Sequence, residues 1–373
     1  MVLILAINLV SVKLYGEMEY WLALVKILVV IMFIIVGILV TTGAVGAGTI
    51  GFEYWKNPGA FVDGAVGTVS VLLSAGFSFQ GTEVVGITAG EAQNPTKTLP
   101  RAIRNTFWRI IFFYIVTIFL IGMCVPANDP NLSNDDGTAA TASFTLIFQL
   151  AGINGGAHFV NAIILLSVLS AANASLYTTS RTLLGLARDG NAPAFLQRIN
   201  RFGAPYWAVV FSSIIGFAVV FVSIYSASAA FEWFLSITAV SGFISWSGIA
   251  FVHLRFRRGY VKQGRDLNDL PYRAFAYPYS GLFACILTVL IILGQGYESF
   301  APSFDRIKFL TSYIGVVPAI LCYVGYKLIR RSKVVPLLEI DYDTGRATYE
   351  DMMMDEEAIG YIPWWKRVFA WIF

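Results

Sequence analysis

Eight predominantly apolar segments, each close to the length of a membrane crossing, constrain this chain more than any other feature. They are residues 21–42, 65–88, 107–125, 159–180, 206–224, 231–252, 281–297 and 309–326. A helix needs about 20 apolar residues to cross hydrocarbon roughly 30 Å thick. Inside a bilayer every backbone polar group must be bonded internally, so only helices and closed barrels span it. A barrel would show short alternating strands, not continuous apolar runs. The segments therefore predict an all-α polytopic membrane protein. A ninth run, residues 1–12, is too short to span alone. It lacks the basic start and small-residue cleavage site of a signal peptide, and reads as half of a helix.

Composition narrows the function. Only 13% of residues are charged and 57% are hydrophobic, against about 25% charged in soluble domains. A water-soluble enzyme, a disordered chain and a nucleic-acid binder are thereby excluded. Cys124, Cys285 and Cys322 all sit within apolar runs, and His158 and His253 lie far apart in sequence. Neither a disulfide framework nor a metal site is expected from them, and no cofactor is implied.

Basic residues retained on the cytoplasmic side orient a polytopic chain. With eight crossings, 22 of the 26 Lys and Arg residues fall on one side, and the opposite side keeps Lys56, Arg306 and Lys308. Both ends are then cytoplasmic. The outer loop 127–157 carries no basic residue and holds the sequon Asn131-Leu132-Ser133, a candidate glycosylation site. Residues 327–373 form a separate cytoplasmic tail, with Pro363-Trp364-Trp365-Lys366-Arg367 near its end. Aromatic residues interleaved with basic ones suit a membrane surface. A tail packed on the protein's own inner face fits as well.

Polar residues within the apolar segments mark candidate chemistry, because an ionisable group in hydrocarbon is costly. Lys26 lies about 7.5 Å into its segment by helical rise. Two readings stand: the stem snorkels back to the interface, or the ammonium faces protein, where desolvation favours loss of a proton during a cycle. The segment 65–88 contains Phe77, Gln80, Gly81, Thr82 and Glu83. Its glycines and carboxylate predict a broken helix, with Glu83 in the first turn of the second half; the other reading is small-residue packing between helices. Such a break presents carbonyls on one side and N–H groups on the other, a pair suited to a zwitterion. Ser170 and Asn173, three apart on one helical face, are placed to coordinate a cation or pair with Lys26. The segment 231–252 adds Ser236, Thr238, Ser241 and Ser245.

The run Ser78-Phe79-Gln80-Gly81-Thr82-Glu83-Val84-Val85-Gly86, with Pro100-Arg101-Ala102-Ile103 after it, closely resembles the signature of the amino acid permeases. These belong to the amino acid–polyamine–organocation superfamily, and the likeness is greatest to its fungal plasma-membrane branch. Tyr15-Gly16-Glu17-Met18-Glu19-Tyr20-Trp21, Ser170-Ala171-Ala172-Asn173 and Phe231-Glu232-Trp233-Phe234-Leu235 look like the same branch. The resemblance implies a LeuT-like inverted-repeat fold of twelve spans. Residues 1–12 then match the end of span four, 13–326 match spans five to twelve, and 327–373 the cytoplasmic tail. The chain is accordingly expected to be N-terminally incomplete.

By the same resemblance, Gln80, Gly81 and Thr82 border the substrate, Phe77 closes over it and Glu83 is the acidic residue beside it. Lys26 matches a lysine standing where sodium-coupled relatives hold sodium, and Ser170 and Asn173 join it as a proton-coupling set. Thr238 is a candidate selectivity position. The implied function is proton-coupled amino acid uptake across the plasma membrane by alternating access, with amino acid, protons and lipid bilayer as partners. The same fold would also serve a non-transporting amino acid sensor, or a truncated, inactive partner of a full-length permease.

Overall fold

The structure is a computed structural model; it describes residues 2–10, 12–46, 48–61, 64–87, 95–129, 132, 143–153, 155–225, 227–270, 274, 276–300 and 303–344. Among these residues all regular structure is helical. The first half holds α1 (Val2–Val10), α2 (Val12–Thr41), α3 (Gly64–Ser70), α4 (Leu72–Ser78), α5 (Val84–Ile87) and α6 (Pro95–Cys124). The second holds α7 (Ser143–Leu150), α8 (Gly156–Arg188), α9 (Tyr206–Tyr225), α10 (Ala227–Lys262), α11 (Tyr279–Gly294), α12 (Arg306–Tyr313) and α13 (Val316–Arg330). The sequon at Asn131 and residues 345–373 of the tail lie outside the described residues.

Among the described residues four helices carry stretches long and apolar enough to cross a membrane: Tyr15–Thr41, Thr98–Cys124, His158–Arg188 and Ala230–Lys262. The helices overrun the apolar segments, because hydropathy marks only the part in hydrocarbon. Arg188 and Lys262, each in the last turn of its helix, favour the extension by opposing the negative end of the dipole. The last segment departs from the straight span its hydropathy predicts, since α12 and α13 meet at a 50° bend. Pro318, in the first turn of α13, supplies no N–H to the Ile314 carbonyl, so the ladder cannot run through.

The chain divides into two compact units, Met1–Gly64 with Trp108–Ser228, and Ala65–Phe107 with Ala229–Phe373. In the first, α8 packs against α1, α2, α7 and α9. Phe33, Val40, Cys124, Ile147, Phe148 and Val160 form a buried cluster there, and Ile4, Leu176 and Val209 form a second. The outer face of α6 presents Trp108, Phe112, Ile115 and Ile118 uncovered. Their spacing is one helical stripe, as a hydrocarbon-facing surface requires.

In the second unit α10 is tied to other segments by hydrogen bonds. Ser236 Oγ donates to the Thr311 carbonyl of α12 at 2.8 Å. The segment after α13 lies along the basic end of α10. There Gln263 Nε2 donates to the carbonyls of Leu337 and Ile340 at 3.1 and 2.9 Å. Tyr342 is buried against Phe256 and Tyr260.

Candidate functional site

The break predicted in segment 65–88 is present. α4 ends at Ser78 and α5 begins at Val84, so residues 79–83 are unwound. The N–H groups of Phe79 and Gln80 turn back to the carbonyls of Gly76 and Phe77, each at 3.1 Å, which tightens and closes the last turn. Gly81 then takes φ of +98°, a conformation that a Cβ makes costly. Gln80 fastens the opened strand to α10: its Nε2 donates to the carbonyls of Thr238 and Ala239 at 2.8 and 3.2 Å. Gly242 makes that approach possible, since a Cβ there would stand 1.9 Å from Gln80 Nε2.

Glu83 sits one residue before α5, not inside its first turn, and its side chain folds back into the break. One carboxylate oxygen, Oε2, accepts the Gly81 N–H at 3.2 Å and the Trp246 indole N–H at 3.0 Å. Both donors are neutral, and among the described residues no cation is paired with this carboxylate. The carboxylate is thus held in place by two neutral donors. Phe77, in the last turn of α4, and Thr82, in the break, are both exposed. The Thr238 hydroxyl donates to the Phe234 carbonyl of its own helix at 2.7 Å, so this residue meets the break through its carbonyl.

The first unit holds a separate polar set. Lys26 turns toward α8 and donates to Ser170 Oγ at 2.8 Å. Ser170 is buried and donates in turn to Glu19 Oε1 at 2.5 Å. Lys26 Nζ also lies 3.5 Å from that oxygen, with the lysine and glutamate side chains 32% and 25% exposed. The Lys26 ammonium thus faces α8. Ser170 pairs with Lys26 as its spacing allows. Asn173 does not: its Oδ1 accepts from Asn8 Nδ2 at 2.8 Å and ties α8 to α1. Glu19 was missed as a member of the set. Its signal was its place seven residues before Lys26, which returns it to the same face of α2 two turns earlier. Among the described residues no cluster of His, Cys, Asp and Glu is arranged to hold a metal.

Apolar spans, one helix opened at a glycine and a fixed carboxylate beside the opening give the architecture of a polytopic membrane transporter. The chain belongs to the amino acid permease family, whose model matches residues 1–339. The lysine-specific permease LysP of Escherichia coli (strain K12) is 41% identical over 343 residues, covering 91% of this chain and 70% of that protein. The lysine-specific permease of Saccharomyces cerevisiae is 38% identical over 367 residues, covering 95% of this chain and 60% of its own length. For LysP of Lactococcus lactis the identity is 40%, with 91% and 68% covered. The chain therefore spans between 60% and 70% of the length of these relatives. All three are named as permeases, which are transporters and not enzymes.

Proposed function

We propose that the chain transports amino acids of the cationic, lysine type, moving them with protons by alternating access around the break at Gly81. The observation that carries this reading is the Glu83 carboxylate, held at the opened helix by two neutral donors. A carboxylate so placed attracts an ammonium group, while Gly81 and Thr82 offer backbone groups and Phe77 an aromatic face to close over the substrate. Gln80 fixes the opening against Thr238, which shapes selectivity through the backbone. The names of the relatives support the class of substrate: lysine for the three above, and basic amino acids for a further Saccharomyces cerevisiae permease.

Lys26, Ser170 and Glu19 are the proton-handling set in this reading, because they form a continuous hydrogen-bonded chain between an ammonium and a carboxylate. Asn173 supports it by fixing α8 against α1. The charge distribution supports cytoplasmic ends, and the signature run around Gly81 supports a place in the fungal plasma-membrane branch.

The test is reconstitution of the full chain in liposomes, with labelled lysine outside and an inward proton gradient. The expected result is lysine accumulation that arginine competes away and a protonophore collapses. Uptake at the level of empty liposomes, together with no saturable lysine binding, would overturn the reading. Accumulation indifferent to the gradient would remove proton coupling and leave transport standing.

A further inference from the structure

Among the described residues one hydrogen bond ties the Glu83 side chain to another helix: it accepts the Trp246 indole N–H of α10 at 3.0 Å. Its other donor, the Gly81 N–H, lies two residues away and belongs to the break itself. That bond fixes the carboxylate only relative to its own backbone. The bond from α10 fixes it relative to the helix on which Gln80 seats the break. Ala239, Gly242, Phe243 and Trp246 fall at helical spacings that place them on one face of α10. Trp246 is half-buried, and its ring leans on Phe243, edge to face, with centroids 5.5 Å apart and planes at 85°. Phe243 is only 3% exposed. Its ring lies over Gly76 of α4, where a Cβ would stand 2.0 Å from the ring carbon Cζ. The absence of a side chain at Gly76 thus lets Phe243 fill the space between α4 and the indole.

We infer that Trp246 is a positioning residue for the Glu83 carboxylate, with Phe243 holding the indole in place. The inference rests on the reading of Glu83 as the group that attracts the substrate's ammonium. An indole nitrogen donates one hydrogen bond and accepts none, so Trp246 serves the carboxylate without competing with it for an ammonium. Both donors take Oε2, and among the described residues Oε1 accepts no hydrogen bond. The unengaged oxygen is the one left for the substrate. A binding group works best when packing and supporting hydrogen bonds lock its rotamer beforehand. Phe243 supplies the packing and Trp246 the hydrogen bond. A carboxylate already aimed loses less freedom when the ammonium arrives, and the gain appears as affinity.

The experiment measures lysine binding and uptake by the full chain carrying benzothienylalanine at position 246, which replaces the indole N–H by sulfur and keeps the ring. Lysine affinity is expected to fall about tenfold, the scale of one hydrogen bond to a charged group. Maximal uptake per surface molecule stays within about twofold, as for a loss of binding alone. Phe243→Leu also lowers affinity, by releasing the ring, and adds nothing further once the N–H is gone. In the Glu83→Gln background the sulfur replacement changes affinity by less than about twofold, since the charge that Trp246 aims is absent. Equal losses in the two backgrounds show a ring that only supports the fold, and overturn the inference. Unchanged affinity of the sulfur variant, where Glu83→Gln does weaken binding, overturns it as well and leaves the reading of Glu83 standing. If Glu83→Gln itself leaves affinity unchanged, that reading fails and the inference falls with it.

Discussion

At Glu83 one oxygen accepts both an indole N–H and the N–H of a glycine at positive φ, so charge and backbone geometry are set together. Glu83→Gln keeps the shape and removes the charge. Hydrogen bonds to charged groups are worth about 1.5–3 kcal/mol, and lysine affinity is expected to fall about ten- to hundredfold by equilibrium binding, with normal surface expression. Unchanged affinity per folded molecule would refute the role of the charge. At Gly81 a Cβ would meet nothing within 4 Å, so Gly81→Ala is penalised only through φ of +98°. The cost expected for a side chain in such a conformation is about 1–3 kcal/mol, read as a lowered Tm with no new clash. Gln80, Gly81 and Glu83 were legible in the sequence because a polar group or glycine in an apolar segment stands out. Trp246 was not, since an indole within an apolar run carries no contrast until its N–H is seen to find a carboxylate. Glu19 escaped for a different reason: it precedes the apolar segment it serves and reads as an ordinary interfacial charge.

On the scale of helices, α2 and α8 meet through a polar chain, and the pairing depends on register. Lys26→Met removes the ammonium and is expected to flatten the pH dependence of lysine uptake. Glu19→Gln, which keeps an acceptor for Ser170, should shift that dependence without abolishing folding. If both variants keep the parent profile, the proton acts elsewhere. Helix positions were legible from hydropathy, but their ends were not, because the basic extensions of α8 and α10 leave the hydrocarbon while the ladder continues. Packing of the segment after α13 on the protein itself was one of two readings of the tail, but its partners were hidden, as they lie some eighty residues away in the chain. Arg265 pairs with Asp343 there at 2.8 and 2.5 Å. Next to that pair the Thr344 hydroxyl, and then the N–H groups of Thr344 and Asp343, hold the Asp341 carboxyl down to about 2. A carboxyl lowered in the folded state contributes fully above the ordinary carboxylate range and loses its contribution as pH falls through about 2. A carbon-13 titration should therefore place the Asp341 midpoint near 2, and in Arg265→Gln move it upward, because that arginine's charge also lowers it. A midpoint in the ordinary range would mean that the turn does not form.

For the molecule as a whole, the eight apolar segments give the number of crossings that length alone can suggest. Among the described residues they form four long helices, one bent pair, one broken helix and the two shorter apolar helices α9 and α11. The division into two units was not readable beforehand, because each unit joins stretches that are distant in the chain. Orientation is a matter of charge: 22 of 26 basic residues share one side when each segment is counted as a crossing. Retention of Lys and Arg acts during insertion, so it determines the side of every loop at once. Single cysteines in a chain lacking Cys124, Cys285 and Cys322 test it directly. Asp129→Cys, between α6 and α7, is expected to react with an impermeant maleimide on intact cells. Ser332→Cys, just beyond α13, is expected to react only after permeabilisation. Reversal of both results inverts the protein and places the Lys and Arg majority outside. Labelling of both sites on intact cells requires an even number of crossings between them, so that one of the shorter or bent segments fails to span.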